Sequence, residues 1–353
     1  MKAIPSIFLF FSAYINPAFA LQESEPQIPD SAEFYEFKRP VPIKRTHPDY
    51  PRSYAISGRE GWVLINYVVD EEGDIDEVVI VDSSGHRQFE RAAVKAVHKS
   101  KFEPATKNGE KVVSSENLIQ FDFHLGDGQR SVSKKFKAQF EDFYAALKSE
   151  NIDAAEEILD EVKQEGSWNL LEDGLINKMS ADIFASKKDN LSRYYALSKA
   201  YRTLTNTADK AILNQVANQL ILIGAVTGAY KETLKLHDEY FKDDLESRTN
   251  TVEQVIPLIQ NKLSSDQEII RQGQISKFGN AYHRLSRPYF SVVDDNQALD
   301  KIEVRCDMKF TRMPVHNRVV LNIPEAWGNC GLTLYGKEGS QFLISEFKST
   351  PEA

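Results

Sequence analysis

The residues able to do chemistry in this 353-residue chain are few and scattered. Its seven histidines are His47, His86, His98, His124, His237, His283 and His316. No two stand at the H-x-x-x-H or H-x-x-E-H spacing that would turn two imidazoles toward one zinc ion. The run Asp70-Glu71-Glu72-Gly73-Asp74-Ile75-Asp76 offers the oxygens that calcium favours. Its glycine is fourth rather than sixth, and no glutamate closes the twelfth position, so it reads as a solvated hairpin turn. There is no G-x-S-x-G elbow, no P-loop and no C-x-x-C pair. No catalytic residue, metal or cofactor is therefore expected, and binding is a better expectation than reaction. An enzyme would need a pocket of converging carboxylates, at least one with a raised pKa.

Charge and composition narrow the partners. Lys and Arg number 43 against 52 Asp and Glu, a net charge of −9, which argues against nucleic acid. With 41% hydrophobic and 27% charged residues, the chain has enough apolar material for real cores. Residues 1–20 join a basic start to a short apolar run and end in Ala18-Phe19-Ala20, the pattern of a cleaved signal peptide with Leu21 as mature start. An uncleaved anchor is the alternative, although Pro5, Ser12, Asn16 and Pro17 interrupt the run. No later stretch reaches membrane-span length, so no direct span is expected in the mature form. Export places Cys306 and Cys330 in an oxidising compartment, where a bridge across 24 positions stabilises by roughly 2–4 kcal/mol. Two buried free thiols are the alternative.

The elements that must position any site change character along the chain. Residues 21–42, with Pro26, Pro29, Pro40 and Pro42, read as an extended leader. Residues 43–126 read β-β-α-β. Trp62 to Val69 is a strand, the acidic turn follows, and Val78 to Val81 returns. Asp82-Ser83-Ser84-Gly85 then breaks the strand and supplies helix-capping side chains. Phe89, Ala92, Ala93, Ala96 and Val97 make one helical stripe. Lys107-Asn108-Gly109-Glu110 is another turn. In the last strand Ile119, Phe121, Phe123 and Leu125 face one way, and Gln120, Asp122 and His124 the other. Residues 134–264 switch to helical period, in hairpins that are either an irregular bundle or a helical-repeat array. Tyr194, Tyr195 and Tyr201 sit there at helical spacing and read as packing residues. Residues 274–353 return to short strands, among them Ile302 to Cys306, Arg318 to Leu321, Leu332 to Tyr335 and Phe342 to Ile344. The expected class is α+β and multidomain: a β-β-α-β module, an all-α middle and a small C-terminal antiparallel β module.

The first region also resembles a family. Asp49-Tyr50-Pro51, Gly58-Arg59-Glu60-Gly61-Trp62-Val63, Val69-Asp70-Glu71-Glu72-Gly73, Asp82-Ser83-Ser84-Gly85, Phe89-Glu90-Arg91-Ala92-Ala93 and Lys101-Phe102-Glu103-Pro104-Ala105 occur in the order found in the TonB C-terminal domain. The residues carrying the motif are Tyr50, Pro51, Gly61, Gly73, Phe102 and Pro104. Gly228-Ala229-Tyr230 and the helix after it are similar to half of a tetratricopeptide repeat. The TonB resemblance implies a periplasmic domain that binds extended segments of outer-membrane receptors by strand addition, linked to TonB-dependent transport. A TonB transducer begins with a membrane anchor and a long Pro-rich spacer, and this chain has a cleavable-looking signal instead. Binding therefore carries over and energising does not. Connectivity places the strand after the helix on an outer edge, with Leu118, Gln120, Asp122 and His124 as expected partner-binding residues. The alternative is an envelope-assembly scaffold in which the module only packs.

Overall fold

The computed structural model describes residues 36–126 and 131–350. The expected signal sequence and most of the leader lie outside them. The described end of the leader carries β1 (Phe37–Lys38) and β2 (Val41–Lys44). A short helix α1 (Arg52–Ser57) leads to β3 (Gly61–Val69), β4 (Ile75–Ser83) and α2 (Arg87–His98). Three small strands follow, β5 (Lys101–Glu103), β6 (Ala105–Lys107) and β7 (Glu110–Val112), before the long β8 (Ser114–Phe123). The main sheet runs β4-β3-β8, all antiparallel, with β3 in the middle. β1 pairs with β6 and β2 with β5, so the leader's end is built into the first region as short edge strands.

Local chemistry accounts for these elements. The Asp70 carboxylate accepts the backbone N–H of Glu72 (3.0 Å) and Asp74 (2.8 Å), closing the β3–β4 turn. Phe89, Ala93 and Val97 of α2 bury against Val63, Ile65, Phe121 and Phe123 of the sheet. Ser83 and Ser84 do not cap α2, contrary to expectation. Ser84 Oγ accepts the Trp62 N–H at 3.0 Å and Ser83 Oγ accepts the Gly85 N–H at 2.9 Å, while the N-cap residue is His86 with no side-chain cap bond.

The middle region is α3 (Lys134–Lys148), α4 (Ile152–Glu165), α5 (Leu170–Ser186), α6 (Asn190–Leu204), α7 (Lys210–Val226), α8 (Tyr230–Tyr240) and α9 (Asn250–Ser264). Ser133, Asn151, Asn169, Asp189, Asp209 and Thr249 each accept a backbone N–H three residues on, which fixes six of the seven starts. Consecutive helices pack on one another around Phe143, Met179, Leu197, Leu204 and Val216. At Gly174 a Cβ would stand 2.5 Å from Leu204, so only glycine lets α5 and α6 approach this closely.

The last region has β9 (Ile269–Gln274), β10 (Asn280–Arg284), β11 (Tyr289–Val293), β12 (Leu299–Cys306), β13 (Phe310–Pro314), β14 (Leu321–Asn322), β15 (Cys330–Gly336) and β16 (Gln341–Phe347). They form two antiparallel sheets, β10-β15-β12-β13 and β14-β11-β16-β9, over a core including Phe290, Ile302, Val304, Leu332 and Ile344. Cys306 and Cys330 face each other across β12 and β15 and are disulfide-bonded. The expected strand from Arg318 to Leu321 is not formed. Arg318 turns to φ 62°, and only Leu321–Asn322 pairs. Among the described residues no helix is long and apolar enough to cross a membrane.

Candidate functional site

The six motif residues brace the first region from within. The Tyr50 ring meets Phe89 and Phe123 edge-on at 5.5 and 6.0 Å, and its hydroxyl donates to the Arg59 carbonyl at 2.6 Å. Burial, with the Glu60 charge adding to it, pushes that phenol up to about 12. Pro51 starts α1. Any Cβ on Gly61 would lie 2.5 Å from Ser84 Oγ and 2.7 Å from the Phe89 ring. Gly73 sits at φ 82°, where a Cβ would meet the Phe102 carbonyl at 1.9 Å. The Gly73 carbonyl in turn accepts the Phe102 N–H at 3.0 Å, and Phe102 packs on Tyr67. Pro104 Cδ lies 3.5 Å from the same Gly73 position. Of these, Tyr50 and Gly61 meet β8, both at Phe123, and none of the six forms its edge.

The direction of the β8 backbone follows from one bond on the far side of β3. The Ser84 N–H donates to the Trp62 carbonyl at 3.0 Å, so the main-chain groups of Trp62 point toward β4. Trp62 stands opposite Asp122, Leu64 opposite Gln120 and Asn66 opposite Leu118. In an antiparallel ladder bonded and non-bonded pairs alternate, so these three pairs exchange no bonds across β3 and β8. Leu118, Gln120 and Asp122 therefore turn their N–H and C=O groups outward, while Ile119, Phe121 and Phe123 bond to β3. Among the described residues no strand lies beyond that edge. A groove of about 350 Å³ runs beside it, lined by residues 119–124 and, opposite, by Arg45, His47, Pro48 and Tyr50. The Gln120 amide donates to Asp122 Oδ1 at 2.8 Å. His124 lies just past the end of the strand, on the groove, and the Leu125 N–H is taken by Glu60 Oε1 at 2.8 Å. Leu125 is exposed and does not continue the buried row of Phe121 and Phe123.

The first half of β8 is closed by the last region. Ser115 Oγ accepts the Cys306 N–H at 2.8 Å and donates to the Lys309 carbonyl at 2.7 Å. The buried Glu116 carboxylate accepts from Arg284 at 3.0 Å and from the Tyr282 hydroxyl. Burial raises the Glu116 carboxyl pKa, although Tyr282 and Arg284 pull it down. Arg305 of β12 is fully buried and donates to Glu303 (2.7 Å), Glu77 (3.1 Å) and Asn66 (3.1 Å), joining β12 to β4 and β3.

The sheet face opposite α2 is covered. Trp62 is 0% exposed, and its indole N–H donates to Asp173 of α5 at 2.9 Å. Lys199 of α6 pairs with Asp82 at 3.0 Å. Burial pushes the Asp173 carboxyl up to about 6, against the Trp62 hydrogen bond and the Lys199 charge. Strand alternation reveals which residues face α2. It carries no signal for what covers the other side, because the partners stand one to two hundred positions away. Sequence reasoning also missed Arg45 and His47 on the groove wall and Ser115 and Glu116 in the closed half. A buried charge inside a strand, as at Glu116, was the available signal for the latter.

Comparison with known proteins agrees with this geometry over one region. Residues 46–125 match the family described as Gram-negative bacterial TonB protein C-terminal. Protein TonB of Pseudomonas aeruginosa is 31% identical over 84 residues, which are 24% of this chain and 24% of that protein. Protein TonB of Xanthomonas campestris pv. campestris is 38% identical over 64 residues, 18% of this chain and 29% of that protein. The solution NMR structure of Pseudomonas aeruginosa TonB CTD covers 29% of this chain and 95% of that chain, at 27% identity and a TM-score of 0.22. The chain thus spans 24% to 29% of the length of these curated relatives. Residues 46–125 are a TonB C-terminal-like module, followed by a helical region and a second β region that the family match does not reach.

Proposed function

We propose that this protein is a non-catalytic periplasmic adaptor that captures an extended segment of an envelope protein by strand addition along β8. The outer-membrane receptors of TonB-dependent transport are the partner class that the module's relatives favour. The observation carrying the reading is the outward row of Leu118, Gln120 and Asp122 main-chain groups beside an open groove. Six residues of edge amount to roughly 20 Å, enough to zip a short segment through its backbone. Side chains along the groove, among them Arg45, His47 and His124, would then select among segments.

The competing reading is a scaffold in which the module only packs. It is favoured by the closed half of β8 and by the covered sheet face. The two separate in a titration of the full chain with a labelled peptide from the periplasmic N-terminal segment of such a receptor. Gln120→Pro removes one outward N–H and leaves the β3 ladder intact, so capture should weaken about tenfold or more with little change in melting temperature. Phe121→Pro breaks a pair with β3 and empties a core position, and serves as the unfolding comparator. Equal peptide binding by Gln120→Pro and the parent would refute strand addition and leave the scaffold.

A further inference from the structure

Where the three regions meet they border a half-open cavity of about 680 Å³, within the range of small-molecule sites. Leu64, Val81 and Leu118 of the first sheet form one wall. Phe184, Tyr194 and Tyr195 of α5 and α6 form the second, and Ile275, Ala281 and Tyr282 the third. Tyr194 packs against the helical core and on the Tyr195 ring, and both tyrosines also line the cavity.

The charge of this cavity is one-sided. Lys163, Lys199, Arg202, Arg271 and Lys277 line it against Asp82 and Glu232. Lys199 is bonded to Asp82 at 3.0 Å and Arg271 to Glu232 at 2.8 Å, so both carboxylates are already neutralised. Lys163, Arg202 and Lys277 have no carboxylate in ion-pair contact among the described residues. Arg202 lies over the Trp62 ring at 5.9 Å and donates to the Ser198 carbonyl at 3.3 Å. Its buried Nη1 has no hydrogen-bond partner among the described residues, an unmet donor on a group that binds planar anions well. Lys277 lines the same cavity, with its Nζ over the Phe278 ring at 5.1 Å and beside Gly85.

We propose that this cavity binds a small organic anion: a carboxylate, sulfonate or phosphate carried on an apolar or aromatic body. Arg202 and Lys277 hold the charged head, Lys163 adds positive potential, and the leucines and tyrosines take the body. The main-chain edge of β8 forms no part of the site, so this inference stands apart from strand capture.

The test titrates the full chain with anilinonaphthalene sulfonate and, separately, with phenylnaphthylamine, which has the same rings and no charge. One-to-one binding of the sulfonate is expected, about tenfold tighter than the amine and weakening with salt. Lys277→Glu changes an exposed residue, and Arg202→Met removes the guanidinium that lies over Trp62 while keeping an unbranched side chain. Each should weaken the sulfonate about tenfold while leaving the amine and the melting temperature unchanged. Equal affinity for the two dyes, or sulfonate affinity unchanged in both variants, overturns the proposal.

Discussion

The two halves of β8 share one strand and have opposite surroundings. Ser114 to Asn117 run under the last region, gripped by the Cys306 backbone and by Tyr282 and Arg284 at Glu116. Leu118 to Phe123 leave the sheet with an unpaired edge and a groove along it. Sheets must protect their edges, and this molecule uses both available means: cover on one half, and a short polar stretch on the other. The difference teaches that an edge strand's own sequence does not decide how much of it is open. Chain about two hundred residues downstream sets that length.

The comparison can be broken from the closed side first. Arg305→Ala would remove the buried one of the two guanidiniums that Glu303 and Glu77 share, leaving only the half-exposed Arg312 between them and taking the donor from Asn66 Oδ1, at a cost of about 3–5 kcal/mol. Chemical denaturation reads the cost, and hydrogen exchange should show amides of Ser114 to Asn117 losing protection. A loss of stability with no change in those amides would mean that Arg305 holds the last region together without closing β8. Replacing both cysteines, Cys306→Ala with Cys330→Ala, removes a crosslink over 24 positions, worth about 3.5 kcal/mol in the loop-entropy picture. Here Ser115 should exchange faster while Ile119 and Phe121, bonded to β3, stay protected.

The open side rests on Trp62 and Asp173, and it responds to pH. The Asp173 carboxyl is raised from 3.8 to about 6, so its protonated form is favoured by folding. Its contribution is complete below about pH 4 and is lost as pH rises through 6, an effect of at most about 3 kcal/mol. Asp173→Asn keeps an acceptor for the indole N–H and should flatten the stability profile between pH 4 and 7. A variant profile still falling in that window would assign the slope to another group.

Much of this arrangement was legible beforehand, for definite physical reasons. Helices α3 to α9 announce themselves through stripes such as Phe136, Phe140 and Phe143, and through caps such as Asn151. The edge position of β8 followed from connectivity, since a hairpin keeps β3 and β4 adjacent and leaves the strand after α2 outside. Side-chain alternation separated Phe121 from Gln120. It did not say which backbone groups point outward; that needed the bond between Ser84 and Trp62. Least legible were pairings across great separations, such as Arg305 with Asn66 and Trp62 with Asp173. Each of those residues alone looks like an ordinary surface charge, a polar strand residue or a generic core aromatic. Arg318 to Leu321 failed for the opposite reason: a β-branched run looked like a strand, but the turn at Arg318 left it almost no partner.

Trp62 and Asn66, wholly enclosed here, bear on any attempt to study the first region by itself. Severed after residue 126, it would lose Asp173 and Arg305 together and bare an indole along with an amide carbonyl accustomed to a guanidinium. Such a piece would offer neighbouring copies an artificial adhesive patch beside the natural docking strip. Association measured on the excised piece would then report the wound rather than the binding surface.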